Sequence, residues 1–588
     1  MAITNIAEHL IHRSQLSPHL PSVICALGQN RQGRRGYTIQ TYAQLNRESA
    51  QIAFWLKTIG VKKGAKAILM VKPGPDLFAL TFGLFKAGIV PILIDPGMDK
   101  SDLKGCIAAA APDVFIGIPI AHLARQLLGW GKATVTHTIV VGGTEVGWRS
   151  AMEKPIARLL GQKHLREAYQ VTPQVADDYV DQTDPNSMAA ILYTSGSTGT
   201  PKGAMYRHRH FIAQVELLQS TYHFREGAFD VPTFPLFALF DPALGMSAVF
   251  PIMDYSAPAK ANPEEIFAVI EDFGAENLFC SPALLCRLSN ALKQTPRALP
   301  TLKRVISAGA PVPVEEMKTI KQAAHETAEI YTPYGATESL PLSSISCSEV
   351  IERGYRGQRS GRGVCVGLPT AGVSIKIIKV TDQVISSWDE VELIEVTMPS
   401  DRSITPKNTA EHIGEIVVYG PSTTQSYIAH PKGNALSKIK GVPPGIQAID
   451  SQDFSHRMGD LGYFDEDGFL WICGRKSHRI DTEVDGQLQR WLPHCIEGPL
   501  NQIEGIFRTA LVRSDRGPII CVELSPNQSV PHILNTLKTQ IKAHSSMKGI
   551  YGVIQHPDFP VDTRHNAKIK REKIARWVST RLNQVDPL

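Results

Sequence analysis

An α/β protein built of several units is what this sequence predicts, and three observations carry the prediction. Apolar, β-branched runs of strand length recur ahead of Gly361, each closely followed by a helical pattern. A loop rich in Gly, Ser and Thr stands behind one of these runs, and past Gly361 strands follow one another without long helices between them. Short continuous apolar strands alternating with helices indicate parallel sheets covered on both faces.

The elements follow in order. Ala67-Ile68-Leu69-Met70-Val71 precedes a helix at about residues 76–87, and residues 89–94 read as a second buried strand ended by Asp95-Pro96-Gly97. Residues 138–141, 189–193 and 304–307 have the same character. Beyond Gly361, residues 373–380 and 414–419 predict a β-rich subdomain, with an acidic, Pro-containing surface loop at 383–411 between them. The last boundary falls near Gly474-Arg475-Lys476-Ser477. Residues 1–474 therefore form a large N-terminal domain of α/β subdomains plus the β-rich one. Residues 475–588 form a small α+β C-terminal domain, with strands at 507–512 and 519–523 and helices at 530–544 and 570–584. The chain shows no internal repeat.

Composition narrows the function classes. Of 588 residues, 43% are hydrophobic and 20% charged, a balance that argues against disorder as the main state. The net charge of +5 is small for this length and gives no reason to expect a nucleic-acid binder. Nine cysteines are dispersed from Cys25 to Cys521 with no C-x-x-C pair, and Cys280 and Cys286 lack the spacing and companions of a zinc site. That usage fits reduced thiols in the cytoplasm. Residues 1–13 lack the apolar core of a signal peptide. The most apolar stretch, residues 78–94, is broken by Gly83, Lys86, Gly88 and Pro91 and falls short of the ~20 apolar residues a bilayer span takes. No transmembrane segment is expected.

Thr194-Ser195-Gly196-Ser197-Thr198-Gly199-Thr200-Pro201-Lys202-Gly203 stands directly behind the strand that ends at Tyr193. Its glycines permit positive φ and bring backbone amides close to an anion. Its hydroxyls add donors, and Lys202 adds charge for a β- or γ-phosphate. The pattern Gly-x-x-x-x-Gly-Lys-Ser/Thr is absent, so this is not a Walker loop. A flexible linker is the plain alternative, but a linker has no reason to follow a buried strand or to carry Pro-Lys-Gly. The loop predicts phosphate binding by Thr194, Ser195, Gly196, Ser197, Thr198, Gly199 and Lys202.

Residues 193–203 resemble the signature of the adenylate-forming superfamily, which holds acyl-CoA synthetases, luciferases and peptide-synthetase adenylation domains. The resemblance continues in order and implies that superfamily's fold, its use of ATP and Mg²⁺, and roles for particular residues. Ser307-Ala308-Gly309-Ala310-Pro311 is similar to the segment beside adenine, which implicates Ala308, Gly309 and Ala310. Tyr334-Gly335-Ala336-Thr337-Glu338 resembles the next motif, whose aromatic stacks on adenine, whose Thr meets the α-phosphate and whose Glu binds Mg²⁺. Met458-Gly459-Asp460-Leu461-Gly462 resembles the ribose segment, with Asp460 accepting from the hydroxyls and Arg475 as a second ribose contact and start of the hinge. Thr563-Arg564-His565-Asn566-Ala567-Lys568-Ile569 looks like the mobile segment that carries the catalytic lysine, here Lys568. Taken singly, each has a plain reading: a strand-end turn at Tyr334-Gly335, a cap or turn residue at Asp460, a solvated basic face around Lys568. Their order along the chain is what favours the functional one.

Departures from the acyl-CoA synthetases are equally specific. Ser477-His478-Arg479-Ile480-Asp481 stands where a Gly-Tyr/His-Arg-Ile segment is usual, Pro235-Leu236-Phe237-Ala238 lacks the customary His, and Asn566-Ala567 replaces a glycine before the lysine. With Phe234-Pro235-Leu236-Phe237-Ala238-Leu239-Phe240-Asp241-Pro242-Ala243, these resemble the β-lactone synthetases of bacterial olefin biosynthesis over nearly the whole chain. That branch implies activation of a long-chain β-hydroxy acid as its adenylate, then closure by the acid's own hydroxyl. It also implies work beside thiolase-like, reductase and decarboxylase enzymes. A fatty acyl-CoA ligase or acyl-AMP ligase shares the first step, and a non-catalytic nucleotide-binding relative is the reading from a different class. Residues 234–250 are expected to line the acyl pocket. His208 and His210 are open between a base for the hydroxyl, a metal pair and ordinary helix-start or core histidines.

Overall fold

Two large sheets carry the chain as far as Arg475 in the computed structural model. It describes residues 3–30, 32–94, 98, 100–142, 163–170, 176–194, 201–395, 412–484, 487–525, 530–561 and 569–588. The first sheet has seven strands, in the order Lys163–His164, His137–Val140, Val114–Gly117, Lys66–Met70, Val90–Ile94, Met188–Thr194 and Lys202–Arg207. All neighbours run parallel except the last pair, a hairpin in which Thr194 faces Lys202. The phosphate loop of the sequence reading is the connection of that hairpin.

The second sheet has fourteen strands. Its parallel centre is Ser247–Phe250, Phe229–Pro232, Asn277–Cys280, Arg304–Ser307 and Glu329–Ala336. The expected β-rich subdomain is hydrogen-bonded onto this centre and is not a separate sheet. Strand Ser339–Ser346 turns back antiparallel on Glu329–Ala336, and Val364–Pro369 carries the ladder on to Leu470–Arg475 and Phe454–Phe464. At the opposite edge, the hairpin Pro21–Gln29 and Arg35–Thr41 pairs with Ser247–Phe250.

One large core cluster lies between the sheets. Helix Pro75–Lys86 is buried on every side from Leu77 onward, as a helix apolar all round must be. With helix His208–Tyr222 it belongs to a cluster drawn from both sheets, including Leu69, Ala190, Ala248, Phe250 and Ile306. Helix Tyr42–Thr58, opened by a Thr41/Gln44 capping box, crosses at Gly83, where a Cβ would come within 2.8 Å of Ile52. No helix among the described residues is long and apolar enough to cross a membrane.

Beyond Arg475, a short hairpin (Ile480–Val484, Gln487–Trp491) leads to the four-stranded sheet Ile506–Ser514, Gly517–Leu524, Gly552–Gln555 and Asp586–Pro587. Period-two alternation covers both its faces. Leu511, Ile520 and Val522 pack on helix Val530–Ala543, while Ala510, Val512, Ile519 and Cys521 pack on helix Arg571–Ser579. The last helix is shorter than the expected 570–584, because a separate 3-10 turn, Leu582–Gln584, folds Leu582 back onto the same cluster. Helix Pro493–Leu500 seats this unit on the main body, with Leu492 and Cys495 sharing a cluster with Trp471 and Cys473.

Candidate active site

A cavity of about 1520 Å³ runs between the two sheets. Aromatic and aliphatic side chains, among them Phe234, Leu236, Phe237, Leu239, Phe240 and Leu244, form part of its wall. These residues belong to the segment 234–250 that was expected to line an acyl pocket. The wall also includes Lys202, Ala308, Gly309 and residues 333–338, with Met458, Gly459 and Arg475. The structure thus gathers Lys202, Ala308, Gly309, Tyr334, Thr337, Glu338 and Arg475 around one space. Ala310 is not part of this wall. Thr194 ends its strand beside Lys202, while Ser195, Gly196, Ser197, Thr198, Gly199 and Lys568 lie outside the described residues.

Tyr334, Thr337 and Glu338 sit at the reversal between strands Glu329–Ala336 and Ser339–Ser346. Glycine at 335 is required there, since a Cβ would meet Leu340 Cβ at 2.9 Å. The strap is pinned from both sides. Tyr206 Oη donates to the Thr337 carbonyl, and the Glu338 carbonyl accepts from Thr424 N at 2.8 Å and Thr424 Oγ1 at 3.1 Å. Tyr427 Oη donates to Glu338 Oε1. Burial and that carboxylate push the Tyr427 phenol up, which keeps it a donor. Its ring has Lys202 Nζ at 5.1 Å and Lys438 Nζ at 5.4 Å, within cation–π range. Lys438 is buried and donates to the Thr424 carbonyl; burial lowers its ammonium to about 7 against the opposing pull of Glu338.

Asp460 stands behind the cavity wall, in register with Arg475 on the neighbouring strand. Its Oδ1 pairs with Arg475 Nε at 3.0 Å and its Oδ2 accepts from Tyr334 Oη at 2.7 Å. Arg475 also donates to the Met458 carbonyl at 3.0 Å. The expected ribose acceptor is therefore engaged by Tyr334 and Arg475 in this structure, the arginine through strand register. Past Arg475 the chain is tied down by charge. Lys476 Nζ reaches Glu415 at 2.9 Å and the Thr381 carbonyl at 2.9 Å, and Arg479 pairs with Asp382. Glu415 is itself buried against Arg457 at 2.6 Å. On the far side, helix Arg571–Ser579 meets the same region, through Arg571–Glu497 at 2.7 Å and Glu572–His478 at 3.2 Å. That helix starts just past Lys568.

His208 and His210 take the plain role left open for them. They begin helix His208–Tyr222, buried, and their Nδ1 atoms accept backbone N–H groups of Ile6 and Arg207. Burial holds both rings neutral, His208 with its pKa lowered to about 4. Sequence reasoning missed Thr424, Tyr427 and Lys438. They reach the site by long-range pairing, with Ala204 bridging Tyr427 and Met205 N bonding the Ser426 carbonyl. Glycine at 203 permits that approach, because a Cβ there would lie 2.7 Å from Tyr193 Cζ and 2.8 Å from Ile428 Cγ2.

Comparison with known proteins identifies the family. The family model described as AMP-binding enzyme matches residues 15–428. The chain is 39% identical to an olefin β-lactone synthetase of Stenotrophomonas maltophilia, over 99% of each chain. It is 38% identical to one of Xanthomonas campestris over 98% of each. Among solved structures, an amide bond synthetase from Marinactinospora thermotolerans superposes with a TM-score of 0.71 at 18% identity, covering 98% of this chain and all of that one. The O-succinylbenzoate coenzyme A synthetase of Bacillus subtilis, in complex with AMP, gives 0.69 at 17% identity, covering 96% and 97%. These two share the fold, that of the adenylate-forming enzymes. The chain belongs to the AMP-binding enzyme family, and within it stands with the olefin β-lactone synthetases.

Proposed function

We propose that this chain turns a long-chain β-hydroxy acid into a β-lactone in two steps driven by ATP. In the first step a carboxylate oxygen attacks the α-phosphorus, the bond to the bridging oxygen breaks, and pyrophosphate leaves. In the second the β-hydroxyl oxygen attacks the acyl carbon, its proton departs, the bond to AMP breaks and the four-membered ring closes. The carrying observation is the end-to-end 39% identity with an olefin β-lactone synthetase. The cavity supports it, since one space is lined both by apolar side chains and by residues expected to meet the nucleotide. An intramolecular nucleophile needs orientation more than a channel for a second substrate.

In this reading Lys202 and residues 194–199 hold the β- and γ-phosphates, Thr337 meets the α-phosphate, and Tyr334 stacks on adenine beside Ala308, Gly309 and Ala310. Ribose hydroxyls compete with Tyr334 Oη for Asp460, with Arg475 adjacent. Residues 1–474 form the nucleotide- and acyl-binding domain. Residues 475–588 form a domain that swings Lys568 toward the charge developing between carboxylate and α-phosphate. Glu338 fits a single Mg²⁺. Tyr427 fixes one of its oxygens, and no group of three or more His, Cys, Asp and Glu side chains gathers among the described residues. A metal that arrives on phosphates and keeps its waters takes few protein carboxylates. When bound it neutralises phosphate charge as a Lewis acid. Cytoplasmic work beside the other enzymes of an olefin pathway belongs to the same proposal.

The test is incubation with ATP, Mg²⁺ and a long-chain β-hydroxy acid, with and without coenzyme A. Lactone, AMP and pyrophosphate formed without coenzyme A are expected. A thioester appearing only with coenzyme A would assign the chain to the acyl-CoA ligases. Lys568→Ala is expected to stop pyrophosphate release while ATP still binds; full release from that variant removes the lysine's role.

A further inference from the structure

Three buried polar side chains line the cavity beside its apolar side chains, and none has a part in the steps above. Asp230 lies on strand Phe229–Pro232 in register with Asn277 on Asn277–Cys280, so the two side chains leave the sheet on the same side. Asp241 opens the short helix Asp241–Leu244 and brings its carboxyl within hydrogen-bonding reach of Asp230. All three line the cavity, and their exposures are 5%, 3% and 2% for Asp230, Asp241 and Asn277.

Their hydrogen bonds are incomplete. Asp241 Oδ2 and Asn277 Oδ1 have no partner among the described residues, and Asn277 Nδ2 reaches only the Met246 thioether, at 3.4 Å. Buried polar atoms are almost always paired, so two bare acceptors on one cavity wall point to an occupant that brings a donor. Burial raises both carboxyls, Asp230 to about 7, and Asp230 raises Asp241 further. The pair therefore keeps a proton near neutral pH and can give as well as accept a hydrogen bond. A hydroxyl, one donor and two lone pairs, matches this set. A plain hydrocarbon chain leaves it unsatisfied.

We propose that Asp230, Asp241 and Asn277 form a hydroxyl-recognition station in the wall of the acyl cavity, selecting hydroxylated acids against plain fatty acids of equal length. This rests on the proposed acyl-adenylate chemistry and deepens it. These are specificity residues; the three side chains carry no step of ring closure.

The experiment measures kcat/KM for pyrophosphate release with a 3-hydroxy acid, a mid-chain hydroxy acid and the unsubstituted acid of the same length. Wild type is expected to favour one hydroxylated acid by about tenfold or more, since a site built to bond a hydroxyl rejects the analogue lacking it. Asp241→Ala and Asn277→Leu should shrink that preference about tenfold, the hydroxy acid losing far more than the plain one, with Asp241→Asn in between. Equal losses on both acids, or an unchanged preference in variants that melt like wild type, would overturn the station. Wild-type indifference to the hydroxyl would overturn it even if lactone forms. Absence of lactone with the hydroxyl preference intact would instead sink the ring-closure reading.

Discussion

Replacing Tyr427 by Phe removes one oxygen and tests how the Glu338 carboxylate is held. The Tyr427 ring has Lys202 and Lys438 ammonium groups at 5.1 and 5.4 Å from its centre, and Phe preserves those contacts. What disappears is the phenol's hydrogen bond to Glu338 Oε1. A hydrogen bond to a charged acceptor contributes about 1.5–3 kcal/mol, and 1.36 kcal/mol is a factor of ten, so the variant should lose roughly 10- to 150-fold in a step that depends on the carboxylate's placement. In the proposed reading that step is adenylation with Mg²⁺ near Glu338. Pyrophosphate release followed across a Mg²⁺ titration should show a lower kcat/KM and a higher half-saturating Mg²⁺ concentration. Thermal melting should change little, because the ring keeps its packing. A variant within about twofold of wild type in rate and Mg²⁺ dependence would refute the claim that Tyr427 positions Glu338.

Three further outcomes follow from the same geometry. Asp460→Asn breaks the pair with Arg475 at 3.0 Å and weakens the acceptor for Tyr334, so the Kd for ATP in calorimetry should rise about tenfold; an unchanged Kd would separate Asp460 from nucleotide binding. Gly203→Ala drives a methyl against Tyr193 Cζ at 2.7 Å and Ile428 Cγ2 at 2.8 Å, and should cost about 1–3 kcal/mol in denaturant unfolding; a loss under half of that would show that the hairpin relaxes freely. Lys438 is lowered by burial to about 7, whereas an unfolded lysine titrates near ~10.4. Between those values the unfolded chain binds more protons, so this lysine makes stability rise with pH across that window, by up to about 4 kcal/mol. The stability of wild type relative to Lys438→Met should therefore climb from pH 7 to pH 10, and a flat difference would contradict the buried-ammonium account.

Much of this arrangement was legible because its signals are local. A buried parallel strand is a continuous apolar run, so Met188–Thr194 and the loop behind it could be read together. Tyr334 and Glu338 were readable as neighbours within one turn. Thr424, Tyr427 and Lys438 were not, since their contacts with Glu338 and Lys202 come from a strand bridge across more than two hundred residues, at Ala204 and Tyr427. The hairpin Pro21–Gln29 and Arg35–Thr41 escaped notice for a similar reason. Much of it alternates half-exposed and polar, and its partner, Ser247–Phe250, is far away in sequence. Asp241 was legible only as one residue of the segment expected to line the acyl pocket, and nothing local marked Asp230; the fold sets both against one cavity. The paired histidines show the reverse limit: His-x-His suggests chemistry, but the Nδ1 atom of each ring accepts a backbone amide and both rings are buried.

The most direct test follows oxygen through the reaction. With ¹⁸O in both carboxylate oxygens of a β-hydroxy acid, attack on the α-phosphorus must leave one label in AMP and one in the lactone carbonyl, while an unlabelled β-hydroxyl supplies the ring oxygen. Mass spectra showing singly labelled AMP and singly labelled lactone are the result this account predicts. Unlabelled AMP with both labels retained in the organic product would contradict it, because the carboxylate would then never have been joined to phosphorus.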